Sequence, residues 1–205
     1  MNGASPPYRI MTERLVIRCW EPRDAPLLKE AIDSSLDHLR PWMPWAADEP
    51  QTLGEKVALL RRFRGKFDLG QDFVYAIFDA REAGVVGGTG LHRRVGDDAF
   101  EIGYWIRASR AGEGLATEST AALTRVAVEV CGVDRVEIRT DPANERSRRI
   151  PRKLGFVEEA TLRRRLHHPE PRDVVIYTMF HEDFAASPAA TAPIEAFDVL
   201  GARVL

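Results

Sequence analysis

Residues 100–120 read FEIGYWIRASRAGEGLATEST. The first seven, FEIGYWI, are apolar and aromatic enough for a strand. A Gly-x-Gly turn follows, and LATEST opens a run with an apolar helical face. The first amides of a helix have no partner inside it, and the aligned peptide dipoles place partial positive charge there. Glycine lets a ligand approach the main chain. The stretch predicts a phosphate cradle at Gly112, Gly114 and the amides to Thr117, or else an ordinary strand-to-helix turn.

Outward from it, the chain divides into alternating pieces. RLVIRCW (14–20) reads as a strand. Asp24 is placed to cap a helix over APLLKEAIDSSLDHL (25–39). HLRPWMPW (38–45) is a loop fixed by two prolines. TLGEKVALLRRFRGKF (52–67) is a second helix, opened by the capping-box pattern Thr52 to Glu55.

DFVYAIFD (72–79), GVVGGTGLHRR (84–94) and AFEIGYWI (99–106) read as three strands with hairpin-length links, which forces antiparallel pairing. The helix from Leu115 to about Val130 permits a parallel crossover to VDRVEIRT (133–140). A short helix from Asn144 to about Leu154 and strands near 156–166 and 173–180 complete the domain. The expected class is α+β, with a mixed sheet of about seven strands, antiparallel in its N-terminal half, and helices on both faces. Residues 1–184 form this domain. AASPAATAPIEAFDVLGARVL (185–205) is expected to be a small-residue linker and a tail of unread role.

The chain has 205 residues, 44% apolar and 29% charged, which suits a single globular domain with a real core. The net charge of −2 argues against a general polyanion binder, so nucleic acid is not an expected partner. Nine basic residues do crowd 144–172, including Arg146, Arg148, Arg149 and Arg152. Glu145, Glu158, Glu159 and Glu170 lie among them, so the run is either an anion-facing patch or a solvated face. The two cysteines, Cys19 and Cys131, support neither a disulfide framework nor a zinc site, and no metal is expected. No apolar run is long enough to span a membrane, and the N-terminus lacks the apolar core of a secretion signal. A cytoplasmic protein, monomeric or homodimeric, is expected.

The order strand, Gly-x-Gly turn, helix, strand, Asp-Pro-x-Asn and Lys-Leu-Gly-Phe resembles the GNAT superfamily of acyl-CoA-dependent N-acetyltransferases. It is most similar to the branch that acetylates ribosomal-protein N-termini. The matching stretches are EIGYW (101–105), GEGLATES (112–119), DPANERS (141–147) and KLGF (153–156), with HLRPWMPW (38–45) and GLHRR (90–94).

The resemblance implies a sheet splayed between its fourth and fifth strands, with acetyl-CoA in the gap. It further implies that Ile106 and Arg107 line the pantetheine. Ala111, Gly112, Glu113, Gly114, Leu115, Ala116 and Thr117 would hold the pyrophosphate. Asn144 and Ser147 would sit near the thioester. Two departures stand out. Ala111 occupies the position of a basic residue or glutamine, with Arg110 one place early. Pro151 occupies the position of a tyrosine acid, which leaves Ser147 as the nearby hydroxyl.

The expected reaction moves an acetyl group from acetyl-CoA to a primary amine, either a protein N-terminus or a small molecule. The amine must be neutral and the leaving thiolate stabilised. With α-amines titrating near ~7.8 and lysines near ~10.4, freeing the lone pair at neutral pH costs about 1 and about 4–5 kcal/mol respectively. Glu101 is the expected base, since alternation sets it apart from the apolar face of Phe100, Ile102, Tyr104 and Ile106. His92 is the second candidate at the acceptor site. Trp42 and Trp45, with Met43, are expected to roof an acceptor groove or to pack their loop on the core. A non-catalytic acyl-CoA sensor is the alternative, favoured by Ala111 and Pro151. A Rossmann dinucleotide site is excluded, because Thr117 stands where the fingerprint needs glycine.

Overall fold

The computed structural model describes residues 5–167 and 170–205. One nine-stranded sheet organises the chain. Its strands are β1 (Arg9–Met11), β2 (Leu15–Cys19), β3 (Phe73–Asp79), β4 (Val85–His92), β5 (Ala99–Ile106), β6 (Arg135–Thr140), β7 (Val157–His167), β8 (Pro171–Phe180) and β9 (Glu195–Phe197), in the spatial order β7-β8-β6-β5-β4-β3-β2-β1-β9. The helices are α1 (Ala25–Asp33), α2 (Leu36–Leu39), α3 (Leu53–Asp68), α4 (Leu115–Arg125), α5 (Glu145–Lys153) and α6 (His181–Phe184).

Neighbouring strands from β1 to β5 are antiparallel; the β1–β2, β3–β4 and β4–β5 links are short, while β2 and β3 are joined through α1, α2 and α3. The α4 crossover makes β5 and β6 parallel. The two strands beyond the expected seven come from the ends. Thr12–Arg14 turns the chain so that Arg9–Met11 pairs back on β2, and Glu195–Phe197 pairs on β1. The segment after Phe184 is docked rather than loose: Ala189 and Ala196 are fully buried, and the Ala192 carbonyl accepts from Arg125 at 2.7 Å. Small residues at 189–192 read as a linker because nothing in their sequence shows that they pack closely.

Two apolar clusters flank the sheet. Phe100, Ile102, Ile106, Leu115, Leu123, Val136 and Ile138 belong to the one beneath α4, while Trp20, Leu28, Ile32, Leu60 and Phe78 belong to the one beneath α1 and α3.

Two helix starts differ in an instructive way. Thr52 caps α3 through its side chain, and Glu55 returns the bond, as the spacing predicts. Asp24 stands at the start of α1 but makes no side-chain cap. Its carboxylate instead takes the Arg18 guanidinium at 2.8 and 2.9 Å and the Glu21 amide at 2.9 Å. The expected single helix over 25–39 breaks at Ser34 and Ser35. Ser35 is buried, and its Oγ accepts from the Ala108 amide at 3.0 Å, fixing the exit of β5. No helix among the described residues is long and apolar enough to cross a membrane.

Candidate active site

The sheet opens at one place. β5 and β6 pair only over Ala99–Glu101 and Arg135–Glu137, although both strands run on to Ile106 and Thr140. The Arg107 amide donates to the Val86 carbonyl at 2.8 Å, so that residue's main chain faces β4. By strand alternation, the main-chain groups of Ile102, Tyr104 and Ile106 face the gap instead. Arg107 is therefore not at the gap: its guanidinium reaches Glu30 at 2.6 and 3.0 Å, on α1. Ile106 is there, buried beside the free edge.

Beyond the gap lies the Gly-x-Gly turn. Gly112 and Gly114 have φ of +90° and +83°, a region that side chains adopt only at a cost of roughly 1–2 kcal/mol. A methyl group added at Gly112 would meet nothing within 4 Å, so the turn is not plugged from within. The first helical bond to this turn comes from the Glu118 amide to the Gly114 carbonyl, at 3.0 Å. Among the described residues, no acceptor takes the amides of residues 112–117.

Ala111 ends a 3-10 turn and offers only a methyl group. Arg110 does not replace it, because both carboxylate oxygens of Glu113 hold it at 2.9 Å. Arg14 steadies the turn from the other side. It donates to the Glu113 carbonyl at 3.0 Å and to the Glu118 carboxylate at 2.7 Å. Leu115 is buried and anchors the helix start, while Ala116 and Thr117 are half-exposed.

Across the gap, Asn144 caps α5 by accepting the Ser147 amide at 3.1 Å. The Tyr104 hydroxyl lies 3.0 Å from Ser147 Oγ and 3.2 Å from its carbonyl oxygen. Burial pushes that phenol well above the usual tyrosine range, so it stays protonated. The sequence reading assigned Tyr104 only to the apolar face. A buried tyrosine needs a hydroxyl partner, and that was the available signal. Pro151 is buried in the last turn of α5 and carries no proton to give.

On the opposite face of β5, Trp105 meets Trp45 edge-on, with ring centres 5.9 Å apart. Trp42 is half-buried in the same loop. The loop is tied down at both ends. Arg172 donates to the Pro41 carbonyl at 3.1 Å while pairing with Asp141 at 2.6 Å, and Lys56 forms a buried ion pair with Glu49. Glu101 is buried on this face, and both its oxygens are held by Arg94, at 2.5 and 2.8 Å. His92 is its cross-strand neighbour on β4. The basic run of 144–172 is largely neutralised in this neighbourhood: Arg148 and Arg152 fold onto Glu145 and Glu158. Among the described residues, no group of three or more His, Cys, Asp or Glu is placed to hold a metal ion.

A sheet split beside an open, positively polarised helix start can seat an extended ligand that ends in phosphate. The chain belongs to the acetyltransferase (GNAT) domain family, whose profile matches residues 14–157, and it is an acyl-CoA-dependent N-acetyltransferase. It is 29% identical over 182 residues to the Bacillus subtilis (strain 168) protein named "Putative ribosomal N-acetyltransferase YdaF", covering 85% of this chain and 95% of that one. It is 28% identical over 160 residues to the [Ribosomal protein uS5]-alanine N-acetyltransferase of Escherichia coli (strain K12), covering 75% and 80%. Mycobacterium smegmatis RimJ, solved with CoA-disulfide, shares the fold with a TM-score of 0.78 at 24% identity, over 91% of each chain.

Proposed function

We propose that this enzyme acetylates the α-amine at the N-terminus of a protein, with a ribosomal protein as the substrate class, and that the reaction takes place in the cytoplasm where such substrates are made. The observation that carries this reading is the free edge of β5 beside the unpartnered amides of 112–117. Acetyl-CoA supplies an activated acyl group as a thioester. The amides of Gly112 to Thr117 bind its diphosphate, and the main chain of Ile102, Tyr104 and Ile106 binds its pantetheine as an added strand. Ile106 and Leu115 keep water from that edge.

The relatives named above support the acceptor class. So does the energetics. An α-amine needs only about 1 kcal/mol of deprotonation at neutral pH, within reach of one well-placed base. Binding both partners in one cleft supplies much of the remaining rate through proximity. Trp42, Trp45 and Trp105 form the apolar wall against which the first residue of the acceptor packs, and Glu101 and His92 form the polar wall. Ser147, at the start of α5, donates its hydroxyl proton toward the departing sulfur. Asn144 holds the turn that presents it.

Isothermal titration with acetyl-CoA, followed by mass spectrometry of peptides with free alanine, serine or methionine N-termini, tests the proposal. A mass gain of one acetyl group at the α-amine is the expected result. Acetylation confined to lysine side chains or to small amines would overturn the acceptor class, and absence of acetyl-CoA binding would overturn the whole reading.

A further inference from the structure

We propose that His92, oriented by Asp72, is the group that accepts the proton of the attacking amine. The inference rests on the transferase reading above and assigns its base. The His92 ring places Nδ1 2.7 Å from Asp72 Oδ1. With Nδ1–H donating to that carboxylate, the lone pair of the neutral ring lies on Nε2. No described residue bonds to Nε2.

The ring can lie where it does because glycine floors it on two strands. A Cβ at Gly90 would come within 2.8 Å of Nε2, and one at Gly103 within 3.4 Å. Gly103 belongs to the part of β5 beyond its last pairing with β6. Nε2 therefore sits at the mouth of the split, on the face that also carries Trp105 and Trp45. Tyr104 and Ser147 stand on the other face, where the sulfur departs. Proton removal and proton delivery are thus divided between the two sides of one opened strand.

Glu101 is less suited to the same task. Arg94 fills one site on each of its oxygens, and Arg139 lies 3.7 Å away. A proton arriving there would have to compete with charge-assisted bonds. The charged groups around His92 are Asp72 before β3, Glu101 on β5, Arg94 just after β4 and, behind Glu101, Glu137 and Arg139 on β6.

The step balances simply. The amine lone pair forms the C–N bond and the C–S bond breaks with its electrons on sulfur. One N–H proton passes to Nε2, and sulfur gains one from the Ser147 side. The imidazolium later gives its proton to solvent, and solvent returns one to Ser147.

The test compares His92→Gln, Asp72→Asn, Asp72→Glu and Glu101→Gln in the full chain, using acetyl-CoA with alanyl and seryl peptides. His92→Gln is expected to lower kcat about 10²–10³-fold, to leave acetyl-CoA affinity by calorimetry unchanged, and to abolish the acid limb of the kcat–pH profile measured at saturating acceptor. Asp72→Asn removes the carboxylate that holds Nδ1–H, so the ring loses its fixed tautomer, with about a tenfold loss in kcat, and Asp72→Glu restores most of it. A merely structural aspartate would leave the ring tautomer unchanged. Nitrogen NMR of the ring needs no acceptor, and the expected signature is the Nδ1–H tautomer. An Nε2–H tautomer, or an acid limb retained in His92→Gln and lost in Glu101→Gln, would overturn the assignment. Failure of the wild-type protein to bind acetyl-CoA would instead overturn the transferase reading.

Discussion

The Tyr104 hydroxyl lies 3.0 Å from Ser147 Oγ, across the split that separates β5 from the start of α5. Neither residue is placed by its neighbours in sequence. β5 delivers the phenol, the Asn144 cap delivers the serine, and the two meet only because the strands part after Glu101.

A double-substitution cycle reads this contact directly. Ser147→Ala is expected to lower kcat about tenfold to a hundredfold, consistent with loss of one proton-transfer or hydrogen-bonding group. Tyr104→Phe should lower kcat severalfold in the wild-type background and have no further effect in the Ser147→Ala background. Acetyl-CoA affinity by calorimetry should hold in both. Because burial raises the Tyr104 pKa, its effect should be constant from pH 6 to 9. Additive losses would show that Tyr104 acts through something other than Ser147.

The Gly-x-Gly turn offers a binding test. Gly114 has a φ of +83° and lies at the start of α4, with Arg14 3.7 Å from where a Cβ would be. Gly114→Trp should abolish acetyl-CoA binding by filling the cradle and straining its main chain. Gly65→Ala, in α3 with nothing within 4 Å of the added methyl, is the control and should bind as the wild type does. Calorimetric titration separates the two outcomes, and wild-type affinity in Gly114→Trp would contradict the assignment.

How far the sequence carried this reading depended on the range of the interaction. FEIGYWI and GEGLATES specify a strand, a turn and a helix within twenty residues, and the short hairpins leave one pairing direction. Those features are local, and the mixed sheet followed from them. The Asp72–His92 pair spans twenty residues and depends on Gly90 and Gly103 lying side by side, which only strand register determines. The same holds for Tyr104 and Ser147, and for the pairing of Glu195–Phe197 with β1, where a three-residue strand carries no periodic signal. The Arg107 side chain is a related long-range case. Its position beside Ile106 says nothing about which way a strand residue turns, and Glu30 lies far away in sequence.

The two cysteines should be silent in the native protein. Burial pushes both the Cys19 and Cys131 thiols up to about 12. At pH 8 neither is a thiolate, so a thiol reagent should modify neither until the protein is unfolded, and both thereafter. The same shift has a stability consequence. The folded state keeps its thiol protons while the unfolded chain releases them above pH 9, the ordinary value. Stability is therefore intact below pH 9 and falls as the pH rises toward 12, at about 1.4 kcal/mol per pH unit per thiol. Denaturant midpoints at pH 8 and pH 10.5 measure this, and Cys19→Ala/Cys131→Ala should flatten the difference.

The buried ion pair of Lys56 and Glu49 sets how the loop carrying Trp42 and Trp45 sits on α3. Lys56 is completely buried, and Glu49 nearly so. The Glu49 carbonyl also accepts from Arg40 at 3.0 Å, and its carboxylate from the Gln51 amide at 2.8 Å, so one residue fastens both sides of the loop that carries Trp42 and Trp45. Lys56→Met alone strands a carboxylate in the interior and should cost about 3–5 kcal/mol of unfolding free energy. Lys56→Met/Glu49→Leu removes both charges and should recover most of that loss, because the desolvation cost disappears with the attraction. Activity should separate from stability here. The double variant loses the bonds that fix the loop, so KM for the peptide acceptor should rise while acetyl-CoA affinity stays constant. Thermal unfolding gives the first comparison and steady-state kinetics the second. A double variant with wild-type acceptor KM would show that the prolines and Arg172 hold the loop unaided.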